Sequence, residues 1–317
     1  MSSPSQKSHN DFSLRRILFK NTGIQIISQA FSLGAGLATT FVLSRYLGVE
    51  RFGSLNYVFA FYYFFMTLTD MGIDTIVIRE CSKKPEEAGR ILGTMRTFKL
   101  IAASTLVAIA WALIYKIAFP ADLKHALYLY ALILPLVALE FPSVIFQVHL
   151  NAPYPAIIGI FRACGNFVFL IMLVSMGLGM TGYVTALVLT ELFTMLVINY
   201  FSRRYLKLTW TLDKTLCRKV LTSSYKLAIS GIFVAIMNRA DFLMLERMAD
   251  PHQLGLYSSI YKVTNLLESL PIMMMMTLYP VMSRYAKQED RGRLKQIYKK
   301  SLLLLIVLAF PIGFSVT

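Results

Sequence analysis

Residues 155–178 read Pro155-Ala-Ile-Ile-Gly-Ile-Phe-Arg-Ala-Cys-Gly-Asn-Phe-Val-Phe-Leu-Ile-Met-Leu-Val-Ser-Met-Gly-Leu178, and Arg162 is the single charge among them. A bilayer core needs about 20 apolar residues per crossing helix, so this stretch is long enough to span. It lacks the sustained polar/apolar alternation of a barrel strand. Seven more stretches read the same way, at roughly 22–45, 53–78, 97–118, 126–148, 182–201, 220–245 and 254–283, and a ninth begins near Ser301 and meets the end of the chain at Thr317. The composition agrees. Of the 317 residues 56% are hydrophobic and 15% charged, with a mean hydropathy of +0.58. Soluble domains run nearer 45–50% apolar and about 25% charged. A soluble enzyme, a disordered tail, a coiled coil and a small disulfide scaffold are therefore excluded, and an all-α polytopic membrane protein is predicted.

The formal charge is +15. In a soluble chain that would suggest nucleic acid, but here the cations sit in alternate loops between apolar runs. One side gathers 23 of them: before the first span, after the second (Arg79 to Lys99), after the sixth (Arg203 to Lys219) and after the eighth (Arg284 to Lys300). The other side holds Arg45, Arg51, Lys116, Lys124 and Arg247. This asymmetry predicts a multi-pass protein of the cytoplasmic membrane with its N-terminus inside. Cys81, Cys164 and Cys217 are far apart, and the four histidines lack ligand spacing, so no disulfide framework, metal or cofactor is expected. The polar first ten residues do not read as a signal peptide.

The chain also repeats. Leu43-Ser-Arg45 leads through a short turn to Phe52-Gly53, and Leu245-Glu-Arg247 leads to Leu254-Gly255, at a constant offset of 202 residues. Span 1 then maps onto span 7 and span 2 onto span 8. Both units start on the cytoplasmic side, which makes a parallel repeat about an axis along the membrane normal, with substrate between the halves. The predicted organisation is an N-terminal lobe over 1–201, a basic linker over 202–219, and an incomplete C-terminal lobe over 220–317. That second lobe stops inside its third helix, so a longer parent is expected.

Ser44-Arg-Tyr-Leu-Gly-Val-Glu-Arg-Phe-Gly-Ser54 and Thr69-Asp-Met-Gly-Ile-Asp-Thr-Ile-Val-Ile-Arg-Glu80 resemble the opening hairpin of polysaccharide flippases. Asn238-Arg-Ala-Asp-Phe-Leu-Met-Leu245, Leu254-Gly-Leu-Tyr-Ser-Ser-Ile-Tyr-Lys262 and Leu278-Tyr-Pro-Val-Met-Ser283 are similar to their second-half signature. The resemblance runs in register over the whole chain, to the lipid-linked oligosaccharide flippases of the multidrug/oligosaccharidyl-lipid/polysaccharide (MOP) exporter superfamily. It implies a MATE-like fold of two six-helix lobes. It also implies movement of an undecaprenyl-diphosphate-linked glycan from the inner to the outer leaflet, with a polysaccharide polymerase and chain-length machinery as further partners.

Ionisable groups inside a bilayer are costly and mark partners or watery cavities. Glu140 in span 4 and Arg162 in span 5 both lie roughly 10–12 Å from the inner edge at about 1.5 Å per residue, so they can pair. That pair is either a fixed lock or a gate that exchanges partners, and Pro142 is expected to kink span 4 beside it. Arg239 and Lys262 share a depth near the outer end, where Asp241 or a diphosphate could lie between them; Arg offers a planar fork for phosphate oxygens. Lys226 either snorkels or receives a head group on the inner side. Arg45 either anchors a helix end or releases phosphate outside. Glu191, Glu268 and Asp70, the last with Asp74 one turn away, are candidates for a coupling proton or sodium ion; the Asp pair equally suits pairing with Arg79 or the basic loop after the second span. The polar and small residues of span 1 (Gln25, Ser28, Ser32, Gly34) serve close packing or line a sugar-compatible cavity.

No hydrolase triad, metal cluster or nucleotide fingerprint appears, so the chain is not expected to be an enzyme; an embedded polymerase or transferase would need a large loop outside the membrane. The alternatives to a flippase are a drug/cation antiporter of the same fold, which should favour acidic over cationic spans, and a non-transporting scaffold.

Overall fold

The computed structural model describes residues 4–148, 153–205 and 210–262, together with 264, 292, 295–303 and 305–306. Among these residues the secondary structure is helical, without strands. The chain divides into two compact units, Met1–Ser259 and Ile260–Thr317.

In the first unit α1 runs Pro4–Asp70 with one break, at Gly48 (φ 73, ψ 173). A side chain rarely tolerates that backbone, and Gly48 thus divides α1 into the first two expected spans. The second arm starts directly after it, earlier than the expected residue 53. Met71 (φ 47) and Gly72 (φ 68) end α1, and α2 follows at Ile73–Lys83. After the 3-10 turn Pro85–Glu87, α3 occupies Ala88–Lys116. The fourth span is not one helix: it comprises α4 (Ala121–Tyr130), α5 (Ile133–Leu139), a 3-10 turn at Phe141–Ser143, and α6 (Val144–Val148). Pro142 lies in that turn, as its missing N–H and its effect on the preceding residue require. Then come α7 (Pro153–Met176), α8 (Gly179–Ser202) and α9 (Lys214–Met248), and residues 251–259 are helical. In the second unit residues 260–262 and 295–303 are helical.

Six helical segments are long and apolar enough to cross a bilayer: Gly23–Lys83, Pro85–Lys116, Ala121–Val148, Pro153–Met176, Gly179–Ser202 and Lys214–Met248. The first holds both arms around Gly48. Their outward faces carry large apolar side chains in the open, among them Met237 (85% exposed), Ile27 (70%) and Phe233 (63%). So much bare hydrocarbon needs a lipid solvent.

Inside the bundle, packing follows small residues and shared hydrogen bonds. Ser28 on α1 is buried, and its hydroxyl donates to the Ala156 carbonyl of α7 at 2.8 Å. Gly159 of α7 faces Ser28 and Ser32, so the first arm of α1 uses these serines in helix contact. Tyr62 on the second arm is fully buried and donates to the Leu127 carbonyl at 2.8 Å. A core at one end joins Ile73 and Val77 of α2, Ile91, Leu92 and Met95 of α3, Phe146 of α6 and Val220 of α9. There the Phe146 ring stacks on Tyr154 at 4.9 Å.

Candidate functional site

The break at Pro142 decides the first cluster. Glu140 caps α5, immediately before the 3-10 turn, and its carbonyl accepts from the Ser143 N–H at 2.9 Å. Its carboxylate reaches Arg162 of α7, with Nη2 to Oε2 at 2.6 Å. The expected pair therefore forms. It has a third member: Glu191 of α8 meets the same guanidinium, Nε to Oε2 at 3.1 Å and Nη2 to Oε1 at 3.2 Å. Asn199 of α8 donates to the Leu139 carbonyl at 3.0 Å, which holds the end of α5 against α8. Glu140 is buried, and its Oε1 has no hydrogen-bond partner. Two carboxylates thus share one cation, and three helices each contribute one group.

A second cluster of the same stoichiometry lies at the α1–α2 break. Lys99 of α3 is 4% exposed. Its ammonium contacts Asp70 at 3.1 Å and Asp74 at 2.6 Å and lies 4.9 Å from the centre of the Phe141 ring. The two carboxylates are about half-exposed. Asp70 also accepts from the Gly72 N–H at 3.2 Å. The Asp pair was expected to meet Arg79 or the basic loop after the second span, and Lys99, read as one of that loop's cations, is the partner found. The helix instead begins at Ala88, which carries Lys99 into the bundle, while Arg79 pairs with Glu80 at 3.4 Å.

The remaining cationic candidates lie on α1, on α9 and beyond. α9 runs along the second arm of α1: Leu227 approaches Gly72, Gly231 faces Thr67, and Arg239 covers Tyr63. The Arg239 guanidinium is 5.3 Å from the Tyr63 ring centre and 5.7 Å from that of Phe242. Asp241 accepts from the Phe242 N–H at 2.9 Å and from the Tyr257 hydroxyl. Lys226 is exposed, 5.9 Å from the Tyr225 ring centre, and Arg45 is exposed over Phe41 at 5.3 Å. Lys262 belongs to the second unit and is half-buried there. Glu268 lies outside the described residues. The aromatic faces under Arg239 were not anticipated; Tyr63 and Phe242 stand in aromatic-rich spans without a spacing that singles them out.

At the basic end, ion pairs tie α9 to earlier helices. Lys219 contacts Glu80 at 3.2 Å, and Arg90 pairs with Asp213. Asp213 caps α9, accepting from the Thr215 N–H at 2.9 Å and the Leu216 N–H at 3.1 Å. The Leu216 N–H, the Arg90 guanidinium and the Thr215 N–H hold its carboxyl below the usual carboxylate range. A lowered carboxyl pKa stabilises the fold above the unfolded value, and that contribution disappears as pH falls through the native one. Asp213→Ala is expected to lower the thermal midpoint of detergent-solubilised protein at pH 7, with the gap to the parent closing as the buffer is acidified below the carboxylate range. A gap independent of pH would contradict this assignment.

A shallow groove of about 370 Å³ beside the start of α9, lined by Phe98, Leu212, Lys214, Cys217, Arg218, Leu221 and Thr222, includes none of the candidate residues. Among the described residues no cluster of His, Cys, Asp and Glu has a metal-binding arrangement.

Six helices of crossing length around ionic clusters make a multi-pass membrane protein, and comparison with solved structures gives the fold. A MATE protein in complex with MaD3S superposes with a TM-score of 0.65 at 15% identity, over 93% of this chain and 71% of that one. The MATE multidrug transporter DinF-BH gives 0.63 at 16%, over 94% and 71%. An outward-facing multidrug resistance MATE family transporter of the MOP superfamily gives 0.58 at 16%, over 93% and 70%. At such identities the likeness is one of fold. Residues 18–286 match the family described as polysaccharide biosynthesis protein, and the chain belongs to that family. No curated protein matches it.

Proposed function

We propose that the protein flips an undecaprenyl-diphosphate-linked oligosaccharide repeat unit from the cytoplasmic to the outer leaflet by alternating access, with its N-terminus in the cytoplasm. Family membership supports a role in polysaccharide biosynthesis. The observation that carries the substrate class is Arg239, a guanidinium within a membrane span and set against the faces of Tyr63 and Phe242. The planar fork lies against the rings by cation–π contact, and such a fork suits a bidentate grip on diphosphate oxygens. Lys262 is a further cationic candidate, Lys226 an entry contact on the inner side, and Arg45 an exit contact on the outer side. The polyprenyl tail stays in lipid, and the work is translocation rather than catalysis. Polymerase and chain-length machinery would act on the delivered unit.

Each ionic cluster has one carboxylate more than it has cations. The surplus at Glu140, Glu191 and Arg162 suits a coupling proton or sodium ion, and so does that at Asp70, Asp74 and Lys99. Asp241, held by Tyr257, is a gating candidate of the same kind. This acidic excess also favours the second reading, a multidrug/cation antiporter of the same fold.

Arg239→Ala is expected to cut glycan-lipid translocation in vesicles about 10- to 100-fold, the equivalent of a charged hydrogen bond worth about 1.5–3 kcal/mol, with normal membrane insertion. Normal transport in the Arg239→Ala/Lys262→Ala double variant would remove the diphosphate assignment. Binding of a drug cation in preference to the diphosphate lipid by the solubilised protein would favour the antiporter.

A further inference from the structure

Gly53 and Gly255 touch backbone to backbone. A Cβ on Gly53 would lie 2.7 Å from the Gly255 nitrogen, and a Cβ on Gly255 would lie 2.2 Å from the Val49 oxygen. No side chain fits at either position without moving a main chain. The flanking Phe52 and Leu254 are buried, at 2% and 3% exposed. These are the paired positions of the sequence repeat: Phe52-Gly53 follows Leu43-Ser-Arg45 as Leu254-Gly255 follows Leu245-Glu-Arg247, 202 residues apart. In a two-fold arrangement a residue meets its own equivalent only near the axis. The contact between these repeat-paired positions is what a two-fold relation between the halves would place near its axis.

The seam lies at the end of the bundle opposite the ion pairs Lys219–Glu80 and Arg90–Asp213. The approach is of backbone to backbone, with the Val49 side chain beside Gly255. Dispersion contacts of this kind are individually weak, and a gap of about 0.5–1 Å already forfeits a quarter to a half of each. The tightness of the seam adds the converse constraint: any Cβ props it open.

We propose that Gly53 and Gly255 form the closing seam of the outer gate, the place where the two repeat-related halves meet when the transporter shuts its outer mouth and part when it opens. The proposal rests on the transporter reading but not on the identity of the cargo. The outer mouth closes on glycine because only bare backbone lets both halves reach the axis. Substitution by alanine at either position holds the halves apart and favours the outward-open state.

The test places spin labels at Glu50→Cys and His252→Cys, both exposed and themselves 202 residues apart. Cys164→Ser removes the exposed native thiol, and Cys81 and Cys217 are buried. Distances are read by double electron–electron resonance on the intact protein in proteoliposomes, with and without a transmembrane ion gradient. Two distance populations are expected, with the longer one enriched several-fold by Gly53→Ala or Gly255→Ala. A single population in the labelled parent under both conditions overturns the gate, and so does a folded alanine variant with unchanged populations. If an alanine variant fails to fold, the labelled parent alone decides. Because this readout needs no glycan, two populations together with absent glycan translocation would leave the seam standing and sink the flippase assignment instead.

Discussion

Replacing Arg162 by methionine is expected to lower the stability of the protein by about 3–5 kcal/mol, the usual cost of removing one partner from a buried ionic group. Methionine keeps the aliphatic length, so the loss comes from charge. Glu140 is buried and Glu191 nearly so; without the guanidinium their carboxylates face each other in a low-dielectric interior. Fluorescence-detected size-exclusion chromatography after graded heating would show an earlier loss of the monodisperse peak. The triple variant Glu140→Gln/Arg162→Met/Glu191→Gln removes all three charges and is expected to recover most of that loss, since an ionic cluster replaced as a unit is often near neutral. Its transport separates the two roles left open by the sequence. Full activity in the triple variant makes the cluster a structural lock, and a folded but inactive protein makes it a coupling or gating element. Parent-like stability in Arg162→Met alone would dismiss both.

The double variant Asp70→Asn/Asp74→Asn is expected to be the next most damaging, also by about 3–5 kcal/mol. Here the stranded ion is Lys99, 4% exposed, with the Phe141 ring as its remaining described neighbour on this site. Either single variant leaves one carboxylate in contact and should cost far less, nearer the 0–1 kcal/mol of a half-exposed ion pair. The effects should therefore be strongly non-additive. Adding Lys99→Met to the double variant should restore the thermal midpoint. Additive losses from the two single variants would show that the aspartates act separately.

Much of the architecture was legible because a bilayer makes length and charge decisive. The apolar run around Arg162 gave α7, and the glycine at 48 stands in the turn that the repeat pattern placed there. Depth counted at about 1.5 Å per residue brought Glu140 to Arg162 correctly, and Pro142 marked the break in the fourth span. Depth does not specify rotation about a helix axis, and this is why Glu191 was read as a lone carboxylate rather than as the third member of the cluster. Lys99 was read as a loop cation rather than a helix residue for a different reason. Its apolar run begins beside Arg96, so the cations there looked like loop residues; the helix starts at Ala88 because Ile91, Leu92 and Met95 turn into the core. The aspartates, four apart, do converge, but across the break at Met71 and Gly72 and not along one helix face.

The buried ammonium of Lys99 has a consequence for how the chain enters the bilayer. A lysine in a lone crossing segment is costly to insert, up to about 2.5–3.5 kcal/mol at mid-depth. Its counter-ions lie upstream, at the end of α1 and the start of α2, and are synthesised first. α3 therefore gains its neutralising partners only if the preceding helices wait beside the insertion channel, and the opening three crossings should leave the translocon together with the ammonium already paired.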